Sequence, residues 1–221
     1  MQFVAIDFET ATQYPDSPCQ LAAVVIADGQ IVAEHCWLIR PPGLRFNDFN
    51  IRLHGITPDR VADQPNWRQL WPTVWSVLEG QPVLAHNAPF DIGVLRASLS
   101  RYRLPCPRME FNCTRLIASR AWPGQPSYAL KAVAEQLALR FRHHDALEDA
   151  RVCARIVLTA GERCRVDSLS SLEARLKLDR GWCDGRTCQQ ARRAGRFAGE
   201  AMELTQRGDG WPRRFRMPRP E

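Results

Sequence analysis

The order of elements along this chain constrains its fold more than any other feature: three strands come first, and from Trp67 onward helices and strands alternate. Phe3 to Glu9 reads as a strand. Gln20 to Ala27 with Ile31 to Ile39 reads as a hairpin closed around Asp28-Gly29, residues that accept the backbone of a tight turn. Helical spacing then appears at Trp67 to Leu78, followed by a short apolar strand at Pro82 to His86 and a helix at Phe90 to Leu99. Glu110 to Cys113 is the fifth strand, and helices are expected at Thr114 to Ala121, Ser127 to Leu139 and Ala146 to Thr159. Such an order predicts an α/β fold, a mixed five-stranded sheet covered by helices on both faces.

Residues 1 to 161 account for that fold, and 221 residues are too few for a second ordinary domain. Beyond Gly161 the sequence predicts a helical extension over 162 to 210, with helices at Ser171 to Leu178 and Cys188 to Leu204. Thr187 and Gln190 have the spacing of a capping box at the start of the second. Residues 211 to 221, rich in arginine and proline, read as a basic tail.

The eight cysteines are scattered without a C-x-x-C pair, so neither a zinc site nor a disulfide scaffold is expected. The chain starts directly in an apolar strand, with no leader pattern, and its longest apolar run, Leu21 to Ala27, is too short to span a bilayer. These features predict a cytoplasmic protein with no membrane partner. The net charge of +6 is uneven: residues 162 to 221 hold 14 basic against 9 acidic side chains, and the first 161 are nearly balanced. An anionic partner fits that asymmetry.

Three segments carry candidate chemistry. Asp7-Phe8-Glu9 ends the first strand, and alternation along a strand sends both carboxylates to one side at the edge of a core. Such a pair repels, and a divalent cation resolves the repulsion; ordinary solvated acids in a surface turn are the bland alternative. In His86-Asn87-Ala88-Pro89-Phe90-Asp91 a strand stops and a helix starts, so Asp91 is either functional or simply an acid at the positive end of a helix. In His143-His144-Asp145-Ala146-Leu147-Glu148-Asp149, Asp145 and Glu148 look like an N-cap pair, and Asp149 lies in the opening turns of the next helix.

Together these segments resemble the DEDDh family of 3′-to-5′ exonucleases, with Asp7-Phe8-Glu9-Thr10, His86 to Asp91 and His144-x-x-x-x-Asp149 as its motifs. Leu53-His54-Gly55-Ile56-Thr57-Pro58 is similar to a segment of the bacterial proofreading branch, and Trp122-Pro123-Gly124 with His143-His144 resembles the exodeoxyribonuclease X branch. The resemblance covers residues 1 to 161 and implies a ribonuclease-H-like sheet. It also implies that Asp7, Glu9, Asp91 and Asp149 gather two divalent cations, Mg2+ or Mn2+, which activate water on one side of a phosphate and stabilise the leaving oxygen on the other. By the same resemblance Asp7 bridges both ions, and His144 rather than His143 is the general base. Backbone around Phe8 and Thr10 then holds the terminal nucleotide, and His86 and Asn87 flank the substrate channel, while His54 and Gly55 shape a turn. The implied substrate is a DNA 3′ end, single-stranded or frayed. An RNA end, a polymerase-associated module with little activity, and a protein partner or homodimer remain alternatives.

Overall fold

The structure, a computed structural model, describes residues 1 to 195. Its elements in chain order are β1 (Phe3–Thr10), β2 (Pro18–Ala27), β3 (Gln30–Leu38), α1 (Asp48–His54), α2 (Pro58–Val61), α3 (Trp67–Leu78), β4 (Val83–Ala85), α4 (Pro89–Arg101), β5 (Met109–Cys113), α5 (Thr114–Ala121), α6 (Leu130–Gln136), α7 (Ala146–Cys164), α8 (Leu169–Leu176), β6 (Leu178–Asp179), β7 (Gly181–Cys183), β8 (Cys188–Gln189) and β9 (Arg192–Arg193). β2 and β3 meet at Asp28 and Gly29, both with positive φ (51° and 75°), as a two-residue turn of the strands' own twist requires.

The main sheet runs β3-β2-β1-β4-β5-β7-β8. β1, β4 and β5 are parallel to one another, and the outer strands on both sides are antiparallel. Successive side chains of β1 therefore enter different cores. Phe3 and Ala5 pack under α5 to α8, whereas Val4, Ile6 and Phe8 pack under α3 and α4. The expected ribonuclease-H-like mixed sheet between helical layers is present, widened from five strands to seven.

The widening corrects the reading of the C-terminal part. Among the described residues its first helix forms, as α8, and Leu169, Leu172 and Leu176 bury it against the α7 core. From Cys188 to Arg193 the chain forms short strands, not the expected helix. Thr187 caps no helix among the described residues, since Cys188 opens a strand; its carbonyl accepts the Asp184 N–H and its own N–H donates to the Asp184 carboxylate, closing a turn. Tertiary packing overrides helix propensity at Gly181, where an added Cβ would lie 2.5 Å from the Ala191 nitrogen and 2.6 Å from the Phe111 ring. That close approach lets the returning chain pair across the sheet edge. Residue 161 also proves to lie inside α7, so the main domain and the extension share one helix and one sheet. Residues 196 to 204 of the expected helix and the tail at 211 to 221 fall outside the described residues. All eight cysteines are free, and no helix among the described residues is long and apolar enough to cross a membrane.

Candidate active site

At the carboxyl ends of the parallel strands, four acids from three elements come together. Asp7 and Glu9 continue the Phe3–Ala5 side of β1, the side covered by α7, whose first turn supplies Asp149. Asp7, Glu9 and Asp149 each place a carboxylate oxygen within 4.8 Å of the others. Asp91, in the first turn of α4, reaches β1 from the adjoining strand: its Oδ1 accepts the Phe8 N–H at 3.0 Å. Glu9, Asp91 and Asp149 are buried, and Asp7 keeps an opening to solvent. The other Asp91 oxygen is buried with no hydrogen-bond partner among the described residues, a costly arrangement for an acceptor.

The electrostatics match this crowding. Burial, and after it the charges of Asp91, Asp149 and Glu9, holds Asp7 well above the usual carboxylate range. Burial followed by Asp149 and Asp91 pushes Glu9 up to about 8. Burial raises Asp91 to about 8 against the opposing pull of the Phe8 N–H. The cluster must therefore hold protons or cations at neutral pH. A buried oxygen without a partner beside mutually repelling carboxylates is a hard donor set of the kind a divalent cation takes.

A pH-dependent stability follows. These three acids have folded-state pKa values above their unfolded ones, so their contribution is complete below about pH 4 and is lost as pH rises toward 8. His54, His86 and His144 are shifted down and act in the opposite sense below about pH 6.5. The diagnostic quantity is the rise in Tm on adding Mn2+, in which groups indifferent to the cation cancel. That rise is expected to be small at pH 5 and to grow through pH 8; a Tm insensitive to the cation at pH 8 would contradict the assignment.

The loop before α7 orients Asp149. Asp145 caps the helix by accepting the N–H groups of Leu147 and Glu148 at 3.2 and 3.4 Å. Glu148 does not close the expected reciprocal pair; it bonds Arg151 instead. The His143 ring nitrogen Nδ1 lies 3.1 and 3.3 Å from the two Asp149 oxygens, and the His144 N–H donates to Asp149 Oδ2 at 3.2 Å. The two imidazoles stack with centroids 3.9 Å apart. His144 is half-buried with φ 65°, whereas His143 is exposed. Burial, then the neighbouring His143 charge, holds the His144 imidazole below its ordinary pKa.

The pair expected to flank the channel divides. His86 is engaged at both ring nitrogens, by Thr114 Oγ1 and the Tyr128 carbonyl at 2.9 Å each, so Nε2 donates and Nδ1 accepts. Burial pushes its pKa down to about 4. His86 thus ties β4 to α5 and the loop before α6, and Asn87, exposed at φ 66°, is the member open to solvent. Phe8 is buried and its N–H is taken by Asp91. The Thr10 carbonyl accepts Asn50 Nδ2 at 2.8 Å and His54 Nε2 at 3.2 Å. That clamp from α1 fixes the end of β1. Asn50 was not singled out by the sequence, and His54 does more than shape a turn, although the turn is there: its Nδ1 accepts the Ile56 N–H, and Gly55 ends the helix at φ 73°.

Comparison with known proteins adds a family. The profile of the exonuclease family RNase_T matches residues 4 to 157. The chain is similar to a PolC-type DNA polymerase III of Thermotoga petrophila, 34% identical over 178 residues, 77% of this chain and 13% of the relative. It is similar also to the 3′-5′ exonuclease DinG of Bacillus subtilis, 32% identical over 168 residues, 74% of this chain and 18% of the relative. The chain thus spans less than a fifth of these relatives' length. Among solved structures, exonuclease X in complex with 5′-overhanging duplex DNA superposes with a TM-score of 0.65 at 26% identity, covering 79% of this chain and 99% of that one.

Proposed function

The chain belongs to the RNase_T exonuclease family, and from that premise we propose that it removes nucleotides from the 3′ end of a nucleic acid, DNA by preference, with Asp7, Glu9, Asp91 and Asp149 holding two divalent cations, Mg2+ or Mn2+. The observation that carries this reading is the buried four-acid cluster with its unpartnered Asp91 oxygen. When bound there, such cations neutralise a phosphodiester and increase the acidity of water beside it.

The chain's own residues supply the rest. The His144 imidazole, its pKa lowered by burial, accepts the proton that the attacking water loses. As the water oxygen bonds to phosphorus, the bond to the 3′ oxygen breaks, giving a nucleoside 5′-monophosphate and a strand shortened by one residue with a new 3′-hydroxyl. His143 and the His144 N–H keep Asp149 turned toward Asp7 and Glu9. The Asn50–His54 clamp and the Phe8–Asp91 bond hold the end of β1, where Phe8 and Thr10 border the terminal nucleotide, with Asn87 at the channel side. The name of the DinG relative supports the 3′-to-5′ direction, and the duplex in the exonuclease X structure supports DNA.

The test is a time course with Mg2+ on matched end-labelled single-stranded DNA, duplex DNA and RNA, with a circular single strand and a 3′-blocked strand beside them. Mononucleotides from free 3′ ends, fastest on single-stranded DNA, are expected. Protection is expected for the circle and the blocked strand. Cutting of the circle removes the exonuclease reading, and faster release from RNA moves the substrate to RNA.

A further inference from the structure

A cavity of about 350 Å³ opens at the start of α4, the helix whose first turn carries Asp91. Its floor is apolar, built by Pro89, Phe111, Cys113 and Leu116. Its far wall is Gln190 and Ala191, the segment that Gly181 allows to pack against Phe111. At the rim stand Arg115, from the first turn of α5, and Arg193, from β9; both are exposed and neither forms an ion pair among the described residues. Among the described residues no carboxylate lines the cavity.

Its position follows from the sheet. Val4 and Ala5 pair with Val83 and Leu84, and Val83 to Ala85 pair with Phe111 to Cys113. Asp7, in the carboxyl half of β1, and Asn87 and Arg115, just past β4 and β5, therefore lie toward the same edge. Two strand spacings separate β1 from β5, roughly 10 Å. The carboxyl edge of parallel strands is where ligands of such sheets bind. Asn87 and Pro89 belong to both places, between the cavity and the Asp91 that meets β1. One wall and one arginine come from residues beyond 157, outside the match to the family.

We propose that this cavity seats a nucleotide of the substrate other than the one at the carboxylates, its base on the apolar floor and its phosphate between Arg115 and Arg193. An apolar lining with two arginines and, among the described residues, no acid is the complement of a stacked base and a phosphodiester. The assignment rests on the nuclease reading. The phosphate comes either from the strand being degraded or from its complement.

The experiment is equilibrium binding of the full chain to a fluorescent oligonucleotide across a salt series, with calcium in place of magnesium, using Arg115→Ala, Arg193→Ala and the double variant. Each single change is expected to weaken binding roughly tenfold. The double variant should flatten the slope of log affinity against log salt by about 0.7 on single-stranded DNA, the value for one phosphate contact. Tm stays as in the parent, since both side chains are exposed. Equal losses on single-stranded and duplex ligands assign the phosphate to the degraded strand, and losses on duplex alone to its complement. Unchanged affinity and salt slope, in a parent protein that degrades DNA, overturn the cavity's assignment and leave the nuclease reading standing. A parent that hydrolyses no nucleic acid removes both.

Discussion

Asp7→Ala releases no mononucleotide above background, while its metal-free form unfolds at the same temperature as the parent or higher. Both halves follow from the geometry. Asp7 shares its space with Glu9 and Asp149, so its removal deprives a bound cation of the ligand open to solvent. Burial and the neighbouring carboxylate charges raise its pKa in the metal-free protein, so its loss also removes a repulsive, desolvated charge. The measurement pairs product release at saturating Mg2+ with thermal unfolding in chelator at pH 8. A variant as active as the parent contradicts the site. An inactive variant that unfolds well below the parent contradicts the electrostatic account, since the loss then reflects a damaged fold.

His144→Ala lowers the rate constant at saturating substrate by about 10²-fold or more, as expected for a lost general base, and His143→Ala lowers it less. His144 is half-buried with a depressed pKa, which favours the neutral form that accepts a proton. His143 is exposed, and its Nδ1 is already directed at Asp149. Its truncation loosens Asp149 and is expected to raise the cation concentration needed for half-maximal rate. The pH profile separates the roles: the parent's acidic limb, set by a histidine, disappears in His144→Ala and persists in His143→Ala. A larger loss of rate constant in His143→Ala reverses the assignment.

Much of this site was legible in the chain because its carriers are local. Asp7 and Glu9 share a face by strand alternation, Asp145 caps α7 by its position, and Asp28-Gly29 closes its hairpin by turn chemistry. What escaped the sequence depends on residues far apart. The Phe8–Asp91 bond joins positions 83 apart, and the Asn50 clamp on Thr10 joins positions 40 apart; no spacing rule announces either. His86 looks like a channel residue in its motif, and only the fold reveals that Thr114 and Tyr128 engage both its nitrogens. The run from Cys188 onward has helix-forming residues, yet Gly181 brings it onto Phe111, and strands of two or three residues are too short to display a period.

The stack of His143 on His144 and the Asp149 bonds have a common effect. They hold the buried Asp149 carboxylate in the cluster, and the backbone of the loops on either side is left-handed at His144 and Asn87. Position, more than flexibility, is what this edge of the sheet supplies. The strands beyond β5 add a wall to the same edge from a segment outside the family match.

The central claim is that the buried acids form a cation-dependent centre acting from the 3′ end. Its most direct test is a 5′-labelled single-stranded DNA incubated with purified protein in chelator, then after addition of Mg2+ or Mn2+. The account predicts an intact strand in chelator and, once the cation is present, a ladder shortening one nucleotide at a time from the 3′ end. Shortening in chelator, or release of the 5′ label as the first product, would contradict it.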